Sequence, residues 1–270
     1  MQNFEYLRPS SIGEAGATLA KMSDARPLAG GMTLIPTMKM RLLAPTALVD
    51  LASLPELRGI KTDGKSVTIG AMTRHAEVAA SADVRRLIPA LAELAGGIGD
   101  AQVRNKGTLG GAIANNDPSA CYPAAVLGLG ATVTTNRRTI AGEAFFIGMF
   151  ETALEPGEIV TAVTFPVPLA ATYEKFRSPA SRYALVGVFV ARLASGVRVA
   201  ITGAANCVFR AAAIETALAE KFSVEAVSGL RYSSEGLNSD MHGDAQYRAQ
   251  LIGVLAKRAV AKLTANGGKA

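Results

Sequence analysis

The chain has 270 residues, 49% hydrophobic and 19% charged, with a net charge of +6. That length allows one large domain or two to three small ones around a sizeable core. The basic residues are scattered, the densest groups being Arg104–Lys106, Asn136–Arg138 and Lys257–Arg258. A nucleic-acid binder would cluster them with interleaved aromatics, so nucleic acid is not expected, and the basic groups read as solvated faces or a surface for an acidic partner. The most apolar run, Ala184–Ala191, stops at Arg192, and no stretch approaches the ~18 uninterrupted apolar residues of a membrane span. The N-terminal MQNFEYLRPS has no basic segment leading into an apolar one, so a cytoplasmic protein without a signal peptide is expected. Two cysteines, Cys121 and Cys207, do not make a disulfide framework and cannot alone ligate an iron–sulfur cluster. Two isolated histidines, His75 and His242, read as surface or hydrogen-bonded residues rather than zinc ligands.

In chain order, Ser11 and Glu14 form an S-x-x-E capping box that predicts a helix to about Met22. RPLAGG is a short strand breaking into a glycine turn. Thr33 is placed to cap a following helix with Pro36 in its first turn. Ala47–Leu51 predicts a compact strand. GIKTDGKSVTIGAM reads as a hairpin turning at Asp63–Gly64. Helices follow over RHAEVAAS and over DVRRLIPALAELAGG, the latter ending at Gly96–Gly97. After NKGTLGGAIANNDP comes a helix in YPAAVLGLG, a second hairpin in ATVTTNRRTIAGEAFF, and a strand in GEIVTAVTFPVP. RYALVGVFVARLASGVRVAITGAA predicts two long antiparallel strands joined at Ala194–Gly196. Helices over RAAAIETALAE and GDAQYRAQLIGVLAKRAVAKL, the last ending at Asn266–Gly268, complete the chain. Strands and helices come in runs, which predicts an α+β protein. Boundaries are expected at 1–56, 57–170 and 171–270.

Two stretches share a grammar. Ala29–Leu34 (AGGMTL) and Thr108–Gly111 (TLGG) each place adjacent glycines beside a threonine. Such glycines open positive φ and close approach, and successive N–H groups there form an anion nest. Neither stretch fits the dinucleotide fingerprint G-x-G-x-x-G or a Walker A sequence. The residues alone predict an anion or nucleotide cradle gripping from two sides.

AGGMTLIPTMKMRLLAPTALVDL and QVRNKGTLGGAIANNDPSA, with IGAMTRH, PGEIVTAVTFP, YEKFRSPASRYALVGVFVA, VAITGAA and GDAQYRAQL, resemble the FAD-binding medium subunit of molybdenum hydroxylases. This is the carbon monoxide dehydrogenase and xanthine dehydrogenase family, and the resemblance runs from about Pro27 to Arg258. It implies two FAD-holding α+β subdomains of the vanillyl-alcohol-oxidase type and a C-terminal domain with a three-stranded sheet backed by helices. It further implies that Ala29, Gly30, Gly31, Met32, Thr33 and Leu34 hold the FAD pyrophosphate, with Thr108, Gly110 and Gly111 on the other side. Asp117 would meet ribityl hydroxyls, and Lys175 would reach the flavin ring. Tyr183 would lie beside the ring and gate it, and Ile98 and Gln102 would line the approach. The family's second motif commonly carries aspartate where this chain has Cys121, a position counted among the cofactor-binding residues and read as a buried small hydrophobe; either Asp117 or water supplies the lost polar contact, or FAD is held more loosely. The implied partners are a large molybdopterin-binding subunit and a small subunit with [2Fe-2S] clusters, in a dimer of heterotrimers. Electrons would leave to NAD⁺, O₂ or a quinone. The alternative is a free-standing flavin oxidase or reductase on the same scaffold, with His75 or Cys121 as the only flavin tethers.

Overall fold

In a computed structural model of the chain, residues 1–267 are described. The first layer is a β-α-β-α-β unit: β1 (Glu5–Leu7), α1 (Ile12–Lys21), β2 (Ala25–Leu28), α2 (Leu34–Lys39) and β3 (Ala47–Asp50). Its sheet runs β1-β3-β2 and is parallel throughout, Leu28 pairing Asp50 at the end where the first glycine pair begins. The capping box is displaced by one residue from the expected pairing. Ser11 Oγ accepts from Glu14 N at 3.1 Å, but the Glu14 carboxylate turns back to Ser10 N and Oγ, both at 2.7 Å. Ser10 lies outside the helix, so Glu14 anchors the entering chain instead of closing the box.

Next come the hairpin β4 (Ile60–Thr62) and β5 (Ser66–Gly70), then α3 (His75–Ala80), α4 (Ala82–Leu87) and α5 (Pro89–Gly96). The single helix expected over DVRRLIPALAELAGG is therefore two. Pro89 lacks the N–H that would continue α4, so α4 stops at Ile88 and Pro89 opens α5. After α6 (Ala101–Lys106), α7 (Leu109–Asn115) and α8 (Tyr122–Leu129) come β6 (Thr132–Thr135), β7 (Thr139–Ala141), α9 (Gly142–Phe145), the small ribbon β8 (Phe146–Gly148) and β9 (Glu151–Thr152), and β10 (Val160–Pro166). These make a five-stranded antiparallel sheet, β4-β5-β10-β6-β7, with helices over it. Every residue of α8 is buried, and Gly130 in the left-handed region (φ 63°) ends the helix.

The last sheet is β11 (Ala170–Arg177), β12 (Ala184–Leu193), β13 (Gly196–Thr202) and β14 (Phe209–Arg210). It has a fourth strand where three were expected, because two residues beyond the long hairpin pair back onto Ala200 and Ile201. Helices α10 (Ala212–Glu220), α11 (Val224–Ser228) and α12 (Ala245–Gly267) cover it; Gly268, where the last helix was expected to end, lies outside the described residues. Strand β12 shows why the layers cohere. Its side chains alternate faces, so Val186, Val188 and Val190 enter the core beneath α12. Phe189 and Ala191 enter the core of the five-stranded sheet with α8. A third, smaller core lies in the first layer around Ala15, Val49, Leu54 and Leu57.

Arg138 and Glu158 clamp the β6–β7 hairpin to the segment before β10. The Glu158 carboxylate accepts from Arg138 Nε at 2.9 Å, Arg138 Nη2 at 3.0 Å, Thr135 Oγ1 at 2.7 Å and Glu155 N at 2.9 Å. The Arg138 hydrogen bonds hold its pKa down to about 2, against the opposing effect of burial. A carboxylate depressed in the folded state stabilises fully above its unfolded pKa, and loses that contribution as pH falls through the folded value. We expect Glu158→Gln to lower stability at pH 7 by on the order of 1–3 kcal/mol and to flatten the pH dependence between about 4.5 and 2, read by denaturant unfolding.

Candidate flavin site

The first glycine pair follows directly from β2. Gly31 has φ 69°, a conformation that disfavours any residue with a Cβ, and Ile35 N donates to Gly31 O at 3.0 Å to start α2. Thr33 occupies the cap position with helical torsions and no side-chain cap bond. Its backbone is already turned into the helix, so its hydroxyl does not reach back over the N–H groups as a cap would. Among the described residues, the N–H groups of Gly30, Gly31, Met32, Thr33 and Leu34 donate to no protein acceptor. Five donors without a protein acceptor stand on consecutive residues, all but Thr33 half-buried, where the sequence predicts an anion nest.

The second pair is built differently from the turn its sequence suggested. Thr108 caps α7, its Oγ1 accepting from Gly111 N at 3.2 Å, and both glycines lie inside the first helical turn. Gly110 N is spent on Ala71 O at 2.8 Å. The glycines are there for proximity: a Cβ on Gly110 would stand 2.5 Å from that of Ala71, and one on Gly111 3.3 Å from that of Ala29. What this motif can offer a ligand is the Thr108 hydroxyl proton and its own free N–H.

The two motifs touch. A Cβ on Gly30 would collide with the Lys106 carbonyl oxygen and come within 2.8 Å of Gly107 Cα. Beneath Gly107 lies His75, its N donating to Gly107 O at 3.0 Å. This histidine is neither at the surface nor fully hydrogen-bonded, contrary to the sequence reading. It is 4% exposed, its Nδ1 has no partner, and its ring packs against that of Tyr122 tilted by 50°, with centroids 5.3 Å apart. Burial, with the nearby Arg104 charge, lowers its pKa to about 4.

Asp117 and Tyr183 share a second wall, without the other predicted site residues Ile98 and Gln102. Asn116, in the left-handed region (φ 43°), donates its side-chain amide to Gly148 O and Glu151 O at 2.8 Å and so fixes the β8–β9 ribbon beside α7. Asp117 Oδ1 accepts from Ser119 N at 2.8 Å, and burial raises its pKa. With Tyr183, Ser119 and Ser178 it lines a cavity of about 190 Å³. Burial raises the Tyr183 pKa, with smaller contributions from Asp117 and Cys121, so its hydroxyl stays a donor at neutral pH. Ile98 packs on the central core, and Gln102 is exposed on α6.

Cys121 is buried as expected, but it is not simply a small hydrophobe. Lys175 Nζ lies 3.3 Å from Cys121 Sγ and donates to Gly97 O at 3.0 Å. Strand β11 and the start of α8 bring the two together, a pairing the sequence could not disclose across that separation. No carboxylate lies within ion-pair distance of Lys175 among the described residues. An ammonium with one remaining donor and no ion-paired carboxylate among the described residues therefore stands beside Cys121.

Backbone donors on one side, glycine-thin contacts between the motifs, and a carboxylate, phenol and ammonium beyond them suit a long ligand with an anionic centre and a polar ring system. The family model for the FAD-binding domain in molybdopterin dehydrogenase matches residues 2–168. The chain belongs to the FAD-binding medium subunits of molybdenum hydroxylases. It is 37% identical to the carbon monoxide dehydrogenase medium chain of Hydrogenophaga pseudoflava, over 95% of this chain and 96% of that one. It is 34% identical to the glyceraldehyde dehydrogenase medium chain of Sulfolobus acidocaldarius, over 95% and 96%. Among solved structures, reconstituted CO dehydrogenase from Oligotropha carboxidovorans superposes with a TM-score of 0.92 at 35% identity, covering 98% of each chain. These relatives are subunits of oxidoreductases, and this chain is an oxidoreductase subunit of the same FAD-binding kind.

Proposed function

We propose that the chain is the FAD-carrying electron-transfer subunit of a molybdenum hydroxylase. It works in the cytoplasm, in a dimer of heterotrimers, with a large molybdopterin-binding subunit and a small [2Fe-2S] subunit. Electrons arrive from the clusters and pass to an external acceptor. The observation that carries this reading is the interlocked pair of motifs, with five free N–H groups at their junction.

The N–H groups of Gly30–Leu34 and the Thr108 hydroxyl hold the pyrophosphate, and Gly110 and Gly111 let the two sides close on it. Asp117 orients hydroxyls of the ribityl chain, Tyr183 covers the ring edge and limits solvent, and Ile98 and Gln102 shape the approach. The bound flavin supplies chemistry that accepts and releases electrons one or two at a time. Lys175 favours the reduced, anionic form through its uncompensated charge.

The purified chain should take up FAD stoichiometrically, turn yellow, and release all of it on acid precipitation. A chain that binds no FAD, or keeps it covalently through His75 or Cys121, overturns this reading. Lys175→Met should lower the flavin midpoint potential by on the order of 50 mV with FAD still bound, measured by spectroelectrochemical titration.

A further inference from the structure

Four cationic side chains converge on three consecutive residues, Gly97–Gly99. Arg104 Nη1 donates to Ile98 O at 3.1 Å and Gly99 O at 3.0 Å. Arg182 Nη1 approaches Gly99 O at 3.5 Å, and Lys175 Nζ donates to Gly97 O. Arg177 Nη2 stands 3.5 Å from the position of a Cβ on Gly97. Among the described residues none of the four has a carboxylate within ion-pair distance. The nearest acid in sequence, Asp100, is committed to capping α6 through Val103 N at 2.9 Å.

The Arg182 position is enforced. Its loop closes through Ser178 N to Tyr183 O and Arg182 N to Ser178 O, both 2.9 Å. Arg182 itself takes φ 61°, a left-handed conformation that disfavours a non-glycine residue. The loop thus spends strain to keep a guanidinium over Gly99, one residue from Tyr183. Arg177 and Arg182 are exposed, while Arg104 and Lys175 are half-buried behind them. Like charges held this close repel one another; Asp100, within electrostatic reach of Arg182 and Arg104, offsets part of that charge, and an arriving anion relieves the rest. An acidic protein face would be met by charge spread across a surface. This charge is focused on one short segment that also accepts from Lys175.

We propose that Arg104, Arg177 and Arg182 form a docking site for a small anionic electron acceptor bearing phosphate or pyrophosphate groups, at the mouth of the flavin site. This rests on the flavoprotein reading above and adds the chemical class of the acceptor.

The test uses the full chain loaded with FAD and reduced anaerobically, mixed rapidly with ferricyanide, an anion, or hexaammineruthenium(III), a cation. Two ferricyanide ions take the two electrons of each reduced, anionic flavin, and its one N–H proton goes to buffer. The ferricyanide rate should fall steeply as ionic strength rises while the ruthenium rate rises. Inorganic pyrophosphate should inhibit ferricyanide competitively at low salt. The double variant Arg177→Gln/Arg182→Gln should lose at least about tenfold of the low-salt ferricyanide rate and its sensitivity to pyrophosphate, with an unchanged flavin spectrum. Equal rates for wild type and variant overturn the proposal. A ferricyanide preference that pyrophosphate leaves untouched also overturns it, and assigns the patch to an acidic macromolecule. A chain that never binds FAD is recognised before any acceptor is added, and takes this proposal down with the flavoprotein reading.

Discussion

A Gly30→Ala chain should purify colourless and bind added FAD at least about 100-fold more weakly than wild type, which corresponds to roughly 2.7 kcal/mol. The added methyl meets backbone: Lys106 C at 2.7 Å and Gly107 Cα at 2.8 Å, besides the Lys106 carbonyl oxygen. A flexible side chain could swing away, but these atoms join α6 to the Thr108 cap and cannot move without shifting α7. The motifs must separate, and the N–H donors of Gly30–Leu34 lose their register with Thr108. Overpacking of this kind typically costs 1–3 kcal/mol of stability, so circular dichroism should show a folded chain while fluorescence titration reports the lost affinity. Gly229→Ala is the matched control. It has ordinary φ and no atom within 4 Å of its added Cβ, so flavin affinity should not change.

The second large effect concerns pH. His75 has a pKa of about 4 in the folded chain, against about 6.5 when unfolded. Between these values the unfolded chain binds a proton that the folded chain refuses. Stability is therefore complete above about 6.5 and is lost as pH falls towards 4, by up to about 3 kcal/mol. Glu158 acts lower, between about 4.5 and 2, so the two windows separate. His75→Phe keeps a ring against Tyr122 and removes both the titration and an unsatisfied buried nitrogen. Its urea-unfolding free energy should be flat between pH 6.5 and 4.5 where that of the wild type slopes. An identical slope in the variant would rule out His75 as the source. Because His75 supports Gly107, flavin retention should follow the same pH profile.

Much of the fold was legible because it rests on local chemistry. The Asp63–Gly64 turn and the Ala194–Gly196 turn mark their hairpins, and continuous apolar residues mark the buried α8 and β12. Strand β11 was not read from its own residues, since Tyr173, Glu174 and Lys175 give no alternating pattern; only its pairing with β12 makes it a strand. The site divided in the same way. Gly31 announced its turn, whereas Gly110 and Gly111 looked like a second turn but serve contacts with Ala71 and Ala29. Sequence records that a position is small; it does not record whether torsion or proximity requires it. His75 was missed because nothing local marks it. Its importance comes from Gly107 resting on it, and no spacing rule connects the two. The convergence of Arg104, Arg177 and Arg182 was hidden for the same reason.

The abutment of Gly30 on Lys106–Gly107 also bears on the order in which the protein matures. Its two halves come from distant parts of the chain and belong to different cores, one in the parallel layer and one beneath the antiparallel sheet. Contacts of such sequence separation form late, after the local hairpins and helices have paid the entropy of closing the intervening chain. Neither half alone presents donors to both sides of a pyrophosphate. If these motifs hold the pyrophosphate as proposed, flavin is expected to enter a folded apoprotein rather than to nucleate its folding.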